Sequence, residues 1–126
     1  MSRVEYFAPA DQPPPKGHYS PAAGYGDLVF VSGQLPARDE HGRPAEAFGE
    51  QVRSVMQNLF AVLRSAGSGP ADLLKVTAYI VGVEHWDEFN AVYAELMGEA
   101  KPARAVVPVP ELHFGCLVEV EAVAVK

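Results

Sequence analysis

Three charged residues near the C-terminus stand where charge is expensive. Residues 117–125 read Leu-Val-Glu-Val-Glu-Ala-Val-Ala-Val, and in a strand Glu119 and Glu121 fall on the same face. Carboxylates set among Val, Leu and Ala are costly unless paired or hydrogen-bonded. Either they meet a Lys or Arg across a seam between copies, or one of them orients and activates a water. Arg104 follows Pro102-Ala103 and precedes Ala105-Val106-Val107, a lone cation entering an apolar strand. Its planar fork suits two-point recognition of a carboxylate. It suits equally a pairing with Glu119 or Glu121, or a plain charge at a strand end. Residue type alone leaves these readings open.

The remaining candidates are weaker. Ser32-Gly33-Gln34 closes a strand, where the glycine is either a β-bulge or a place for something to approach the backbone closely. Tyr19, in the irregular Gly17–Pro21 segment, and Trp86, at the start of a helix, read by type as aromatic core residues. His18, His41, His85 and His113 form no metal-spaced pair. Cys116 has no second cysteine for a disulfide and no zinc partners, so it reads as a small apolar residue near a strand start. There is no Gly-rich phosphate loop, no Gly-x-Ser-x-Gly and no paired-Cys motif. Simple hydrolytic or binding chemistry, without metal or cofactor, is the expectation.

The elements that must position these groups are legible from pattern. Pro9 and Pro13-Pro14-Pro15 leave room only for a short edge strand at Val4–Phe7. Asp27–Gln34 carries the β-branched and aromatic run of a strand, and a polar loop with a turn at His41-Gly42 follows. Val52, Val55, Met56, Leu59, Val62, Leu63 and Ala66 recur at spacings of three and four, which predicts a helix over Ala45–Ala66 with Gln51, Arg53, Gln57 and Arg64 off its apolar stripe. Gly67 sits at the expected left-handed cap and Pro70 blocks continuation. Leu73–Val83 predicts a strand, with Leu74 on the same face as Val76 and Ala78. Trp86, Phe89, Tyr93 and Leu96 predict a second helix ended by Gly98. Strands from Pro102 to Val109 and from Leu117 to Val125 complete the chain. Two helices against one mixed sheet is an α+β layer architecture. Both faces of the last strand are largely apolar, yet two helices cover one face only. The other face therefore calls for a second copy of the chain.

Composition bounds the rest. The 126 residues make one domain, 1–126, and at 48% hydrophobic they supply a real core. A net charge of −6 with scattered basic residues argues against a nucleic-acid surface. No signal-peptide core and no membrane span is visible, so a cytoplasmic protein is expected.

Several motifs together resemble the reactive intermediate deaminase family, RidA/YjgF. They are Tyr19-Ser20-Pro21-Ala22, Val29-Phe30-Val31-Ser32-Gly33-Gln34-Leu35-Pro36, the helix end Leu63–Gly67, Lys101-Pro102-Ala103-Arg104-Ala105 and Val118–Val125. The resemblance spans nearly the whole chain and keeps the motif order. It implies a chorismate-mutase-like α+β subunit in a homotrimer, with the sheets lining a central β-barrel and sites at subunit interfaces. It implies hydrolysis of 2-aminoacrylate and related enamine or imine acids to 2-keto acids and ammonia. The family's arginine falls on Arg104 and its water-holding glutamate on Glu119, fifteen residues on (119 − 104 = 15). Tyr19, Ser32, Gly33, Trp86 and the Val106 backbone fall where pocket residues are expected. His18 departs from the family pattern, as does the stretch Val107–Gly115 with its Pro108 and Pro110. A trimer that binds small carboxylates without turning them over, or acts in a chaperone-like way, is the alternative, and an endoribonuclease a third.

Overall fold

A computed structural model describes residues 3–126. Six strands form one sheet: β1 (Glu5–Phe7), β2 (Ala22–Tyr25), β3 (Leu28–Gln34), β4 (Leu73–Val81), β5 (Ala103–Val109) and β6 (Val118–Val125). The spatial order is β1-β2-β3-β6-β4-β5. Only the β4–β5 pair is parallel. Two helices, α1 (Phe48–Ser65) and α2 (Trp86–Met97), connect β3 to β4 and β4 to β5. The α+β class expected from pattern is the one found.

The largely apolar β6 lies inside the sheet, with one face in the core and Glu119 and Glu121 interrupting the apolar residues of the other. Val118, Val120, Ala122 and Ala124 are buried, together with Val29 and Val31 of β3 and Val76, Ala78 and Ile80 of β4. Helix α1 packs on this face and on α2. Its apolar stripe carries Val52, Val55, Leu59, Val62 and Leu63, all essentially fully buried. The opposite face of the sheet carries Leu28, Phe30, Thr77, Tyr79, Glu119, Glu121, Val123 and Val125 as cross-strand neighbours. Among the described residues no element covers it, and Phe30 is 50% exposed there.

Several local expectations shift. Helix α1 starts at Phe48 rather than Ala45: the chain bends at 46–47, and Ala47, extended at φ −73 and ψ 127, offers no side-chain cap. Gln51 lies inside the buried stripe and not off it. It is 2% exposed, its amide donates to the Ala45 carbonyl at 2.7 Å, and its oxygen accepts from the Leu117 N–H at 2.8 Å. Strand β4 ends at Val81, two residues early, where Gly82 turns the chain at φ 94. A register shift between Leu73 and Lys75 puts Leu73 in the core and leaves Leu74 47% exposed, away from Val76 and Ala78. The helix stop at Gly67 is as expected: φ is 78, and the Ser68 N–H closes on the Leu63 carbonyl at 2.9 Å. No helix is long and apolar enough to cross a membrane among the described residues.

Candidate active site: two half-sites on opposite faces of one sheet

Glu119 is the second residue of β6, beside Tyr79 of β4, on the face no helix covers. Towards β3 the register slips between Val31 and Gln34, so Ser32 and Gly33 of β3 stand against the single residue Glu121 of β6. This bulge at Ser32-Gly33 brings the β3 backbone onto the Glu119 side chain. A methyl group built on Gly33 would run into the Glu119 carboxylate. The glycine is there because the carboxylate needs its space. The Ser32 hydroxyl donates to the Ser20 carbonyl at 2.6 Å, and the Ser32 N–H donates to the Pro21 carbonyl at 2.9 Å. These two bonds tie the irregular Gly17–Pro21 segment, and Tyr19 with it, to the bulge. Tyr19 is 57% exposed, so it is not the core filler its type suggested. Tyr19, Ser32, Gly33 and Glu119 thus belong to one end of the sheet.

Burial pushes the Glu119 carboxyl above the ordinary range, the like charge of Glu121 adds to that, and His113 partly offsets it. Glu121 accepts a hydrogen bond from the Tyr79 hydroxyl, which raises the phenol in turn. The two carboxylates singled out from sequence therefore differ. Glu121 is exposed and has a protein partner, whereas Glu119 is half-buried beside an open bulge.

Arg104 lies elsewhere. It pairs with Val76 in the parallel β4–β5 ladder, and Val76 faces the helices. Its guanidinium donates to Asn90 Oδ1 of α2 at 2.9 Å and stands 5.0 Å from the centre of the Tyr93 ring and 5.8 Å from that of Phe89. Val106, two residues on and paired with Ala78, shares that face. Asn90, Tyr93, Met97, Lys101 and Arg104 line a cavity of about 270 Å³ between α2 and the start of β5. The Tyr93 hydroxyl, in a residue only 7% exposed, has no hydrogen-bond partner among the described residues. Burial raises the Tyr93 phenol and Arg104 opposes that shift. A cation and an unsatisfied buried hydroxyl at one small cavity suit a carboxylate.

Neither Asn90 nor Tyr93 was singled out as a site residue from sequence. Their i, i+3 spacing on one helix face was the available signal, but it points equally to packing. Trp86 opens α2 at 37% exposure, so it is neither core nor part of the Arg104 cavity lining. Cys116 is buried at the entry to β6, and burial pushes its thiol up. That suits the small apolar role expected of it.

Within one chain, then, Arg104 and Glu119 point to opposite sides of the same sheet. Arg104 is on the edge strand β5 and Glu119 on the uncovered face. No single chain joins them.

Comparison with known proteins points one way. Residues 9–126 match the family model described as endoribonuclease L-PSP. A RutC family protein of Pyrococcus abyssi is 40% identical over 90% of this chain and 91% of its own length. Protein HMF1 of Saccharomyces cerevisiae is 33% identical over 86% and 84%. Among solved structures, RidA from Psychrobacter superposes with a TM-score of 0.88 at 30% identity, covering 97% of this chain and 99% of its own. TdcF of E. coli, solved with bound serine, gives 0.88 at 28%, covering 97% and 98%.

Proposed function

The chain belongs to the endoribonuclease L-PSP family, the group that also carries the RutC, Rid and YjgF names, and from that premise we propose that it is a hydrolytic deaminase of small 2-imino acids whose site is shared between copies. The substrates are of the 2-aminoacrylate, 2-iminopropanoate and 2-iminobutanoate kind, and the products are 2-keto acids and ammonia. One observation carries this reading: Arg104 and Glu119 sit in two separate, incomplete half-sites on opposite faces of one sheet. A homotrimer whose uncovered faces enclose a central barrel would set the Arg104 edge of one copy against the Glu119 bulge of the next. TdcF with bound serine supports the ligand class. Serine presents an α-carboxylate and an α-nitrogen, the pair a 2-imino acid also presents.

The chemistry asks little of the protein. An imine carbon is already electrophilic, so a well-placed water suffices. Arg104, held flat by Asn90 and Tyr93, grips the carboxylate and fixes orientation, which removes much of the entropic barrier. Glu119 has a carboxyl raised toward the range useful to a base and takes a proton from the water. Tyr19, Ser32 and Gly33 form the wall beside it, and Val106 shares the sheet face of Arg104, while Trp86 stays outside the Arg104 cavity.

The test is ammonia and keto-acid release from imino acids generated in place by an amino-acid oxidase, read as the excess over buffer. Wild type should accelerate release, and Arg104→Ala should return it to the buffer rate with the oligomer intact. A near-normal Arg104→Ala rate would sink the mechanism. Serine-like binding without any acceleration would favour the non-catalytic carboxylate-binding reading. The family's name points instead to RNA, but a net charge of −6 with scattered basic residues argues against a surface that tracks phosphates.

A further inference from the structure

The free polar groups that line the Arg104 cavity are all able to donate. Arg104 gives an N–H to Asn90 at 2.9 Å, and since arginine has only donors, the Asn90 amide must meet it with its oxygen. The Asn90 NH2 group is left without a protein partner among the described residues. Tyr93 is 7% exposed, its hydroxyl has no partner, and burial keeps that hydroxyl in its proton-bearing form. Lys101 lines the same cavity, and among the described residues it makes no hydrogen bond and no ion pair.

The rest of the chain makes this conspicuous. It carries 16 acidic residues against 10 basic ones, yet no Asp or Glu lines the cavity. The end of α2 does not occupy the two cations either. The Ala94 carbonyl accepts from the Gly98 N–H and the Met97 carbonyl from the Ala100 N–H. Two unneutralised cations at one concave site raise its potential and draw anions. The carboxylate next to the imine carbon uses one of them, Arg104. Lys101 and the Tyr93 hydroxyl then remain, a cation and a donor with no anion to serve. At about 270 Å³ the cavity lies just under the roughly 300 Å³ where pockets for drug-sized ligands begin, which suits an acid of a few carbons.

We propose that this cavity selects 2-imino acids that carry a second carboxylate at the end of the side chain, with Lys101 and the Tyr93 hydroxyl receiving it, an inference that rests on the deaminase reading above. The four-carbon member is 2-iminosuccinate, the oxidation product of aspartate. Arg104 holds the carboxylate beside the imine carbon, and Lys101 with Tyr93 takes the far one. The reaction itself is unchanged. The water oxygen stays on carbon as the C=O, the C=N bond breaks, and both water hydrogens leave with the nitrogen as ammonia.

The experiment compares 2-iminosuccinate with 2-iminobutanoate, each generated in place from its amino acid by an oxidase and read as the excess over buffer. Both have four carbons and differ by a carboxylate against a methyl group. In wild type kcat/KM should favour the dicarboxylate about tenfold, which is about 1.4 kcal/mol, close to the low end for a hydrogen bond to a charged group. Lys101→Ala should bring that ratio to about one, Lys101→Arg should keep it and Lys101→Glu should invert it, in variants of native mass and circular dichroism. Tyr93→Phe should lower the ratio too, mainly through the KM of the dicarboxylate. Calorimetric titration of wild type and Lys101→Ala with succinate beside butanoate reads the same preference without turnover. A wild type that favours 2-iminobutanoate, a ratio that Lys101→Ala leaves unchanged, or equal binding of succinate and butanoate would overturn the proposal. No acceleration of either imine, with succinate still preferred through Lys101, would instead count against the deaminase reading and uphold the second carboxylate site.

Discussion

At the residue scale, Gly33 and Glu119 are one unit. The bulge puts glycine where any side chain would displace the carboxylate. Gly33→Ala should leave stability within about 0.5 kcal/mol of wild type, as is usual for changes away from the core. It should cut kcat about 100-fold, since a 1 Å misplacement costs that much. Steady-state kinetics beside a denaturation curve separate the two effects. Glu119 also fixes a pH dependence. Its carboxyl is raised chiefly by burial and then by Glu121, and only the carboxylate can accept a proton from water. As pH falls, the working form is therefore lost above the ordinary glutamate range. Glu121→Gln removes the like charge and should move that acid limb downward. An acid limb that stays put would mean that another group sets it. Arg104, Glu119 and Glu121 stand out in the sequence because charges in apolar strands are conspicuous, and only the family resemblance set Arg104 and Glu119 apart from Glu121. Asn90 and Tyr93 do not stand out, because an asparagine and a tyrosine on a helix carry no such contrast.

At the element scale, periodicity located the helices and strands, and the exceptions have specific causes. Gln51 is spaced four residues before Val55, so its position lay on the apolar stripe even though its type did not. Its two backbone partners, Ala45 and Leu117, are far apart in sequence and only the fold brings them together. It clamps the entry of α1 to the entry of β6, two residues before Glu119. Gln51→Ala should cost about 1–3 kcal/mol, the penalty for stranding buried backbone partners, measurable by urea denaturation. Leu74 escaped the alternation rule because a bulge at Leu73–Lys75 inserts one residue and flips the face. Alternation predicts faces only while the ladder keeps its register.

At the scale of the whole molecule, the uncovered sheet face decides what the chain needs. Leu28 at 38% and Phe30 at 50% exposure sit beside Val123 and Val125, an apolar surface that a lone copy would leave in water. The need to cover a second face was legible in β6 from its two apolar sets of residues. The number of copies was not, because symmetry is a property of packing angles between chains. Phe30→Glu should shift native mass toward a smaller species and abolish turnover with it. Full activity in a monomeric Phe30→Glu variant would show that one chain holds a complete site.

The most direct measurement mixes two inactive variants. Arg104→Ala and Glu119→Gln are purified separately, dissociated in mild denaturant, combined in equal amounts and refolded together. A site that takes Arg104 from one copy and Glu119 from another should regain about a quarter of the wild-type rate, because random assembly of a symmetric oligomer builds that share of sites from two intact halves. Recovery to that level is the predicted result. A mixture as inactive as its parents, with subunit exchange verified by mass, would contradict the shared site.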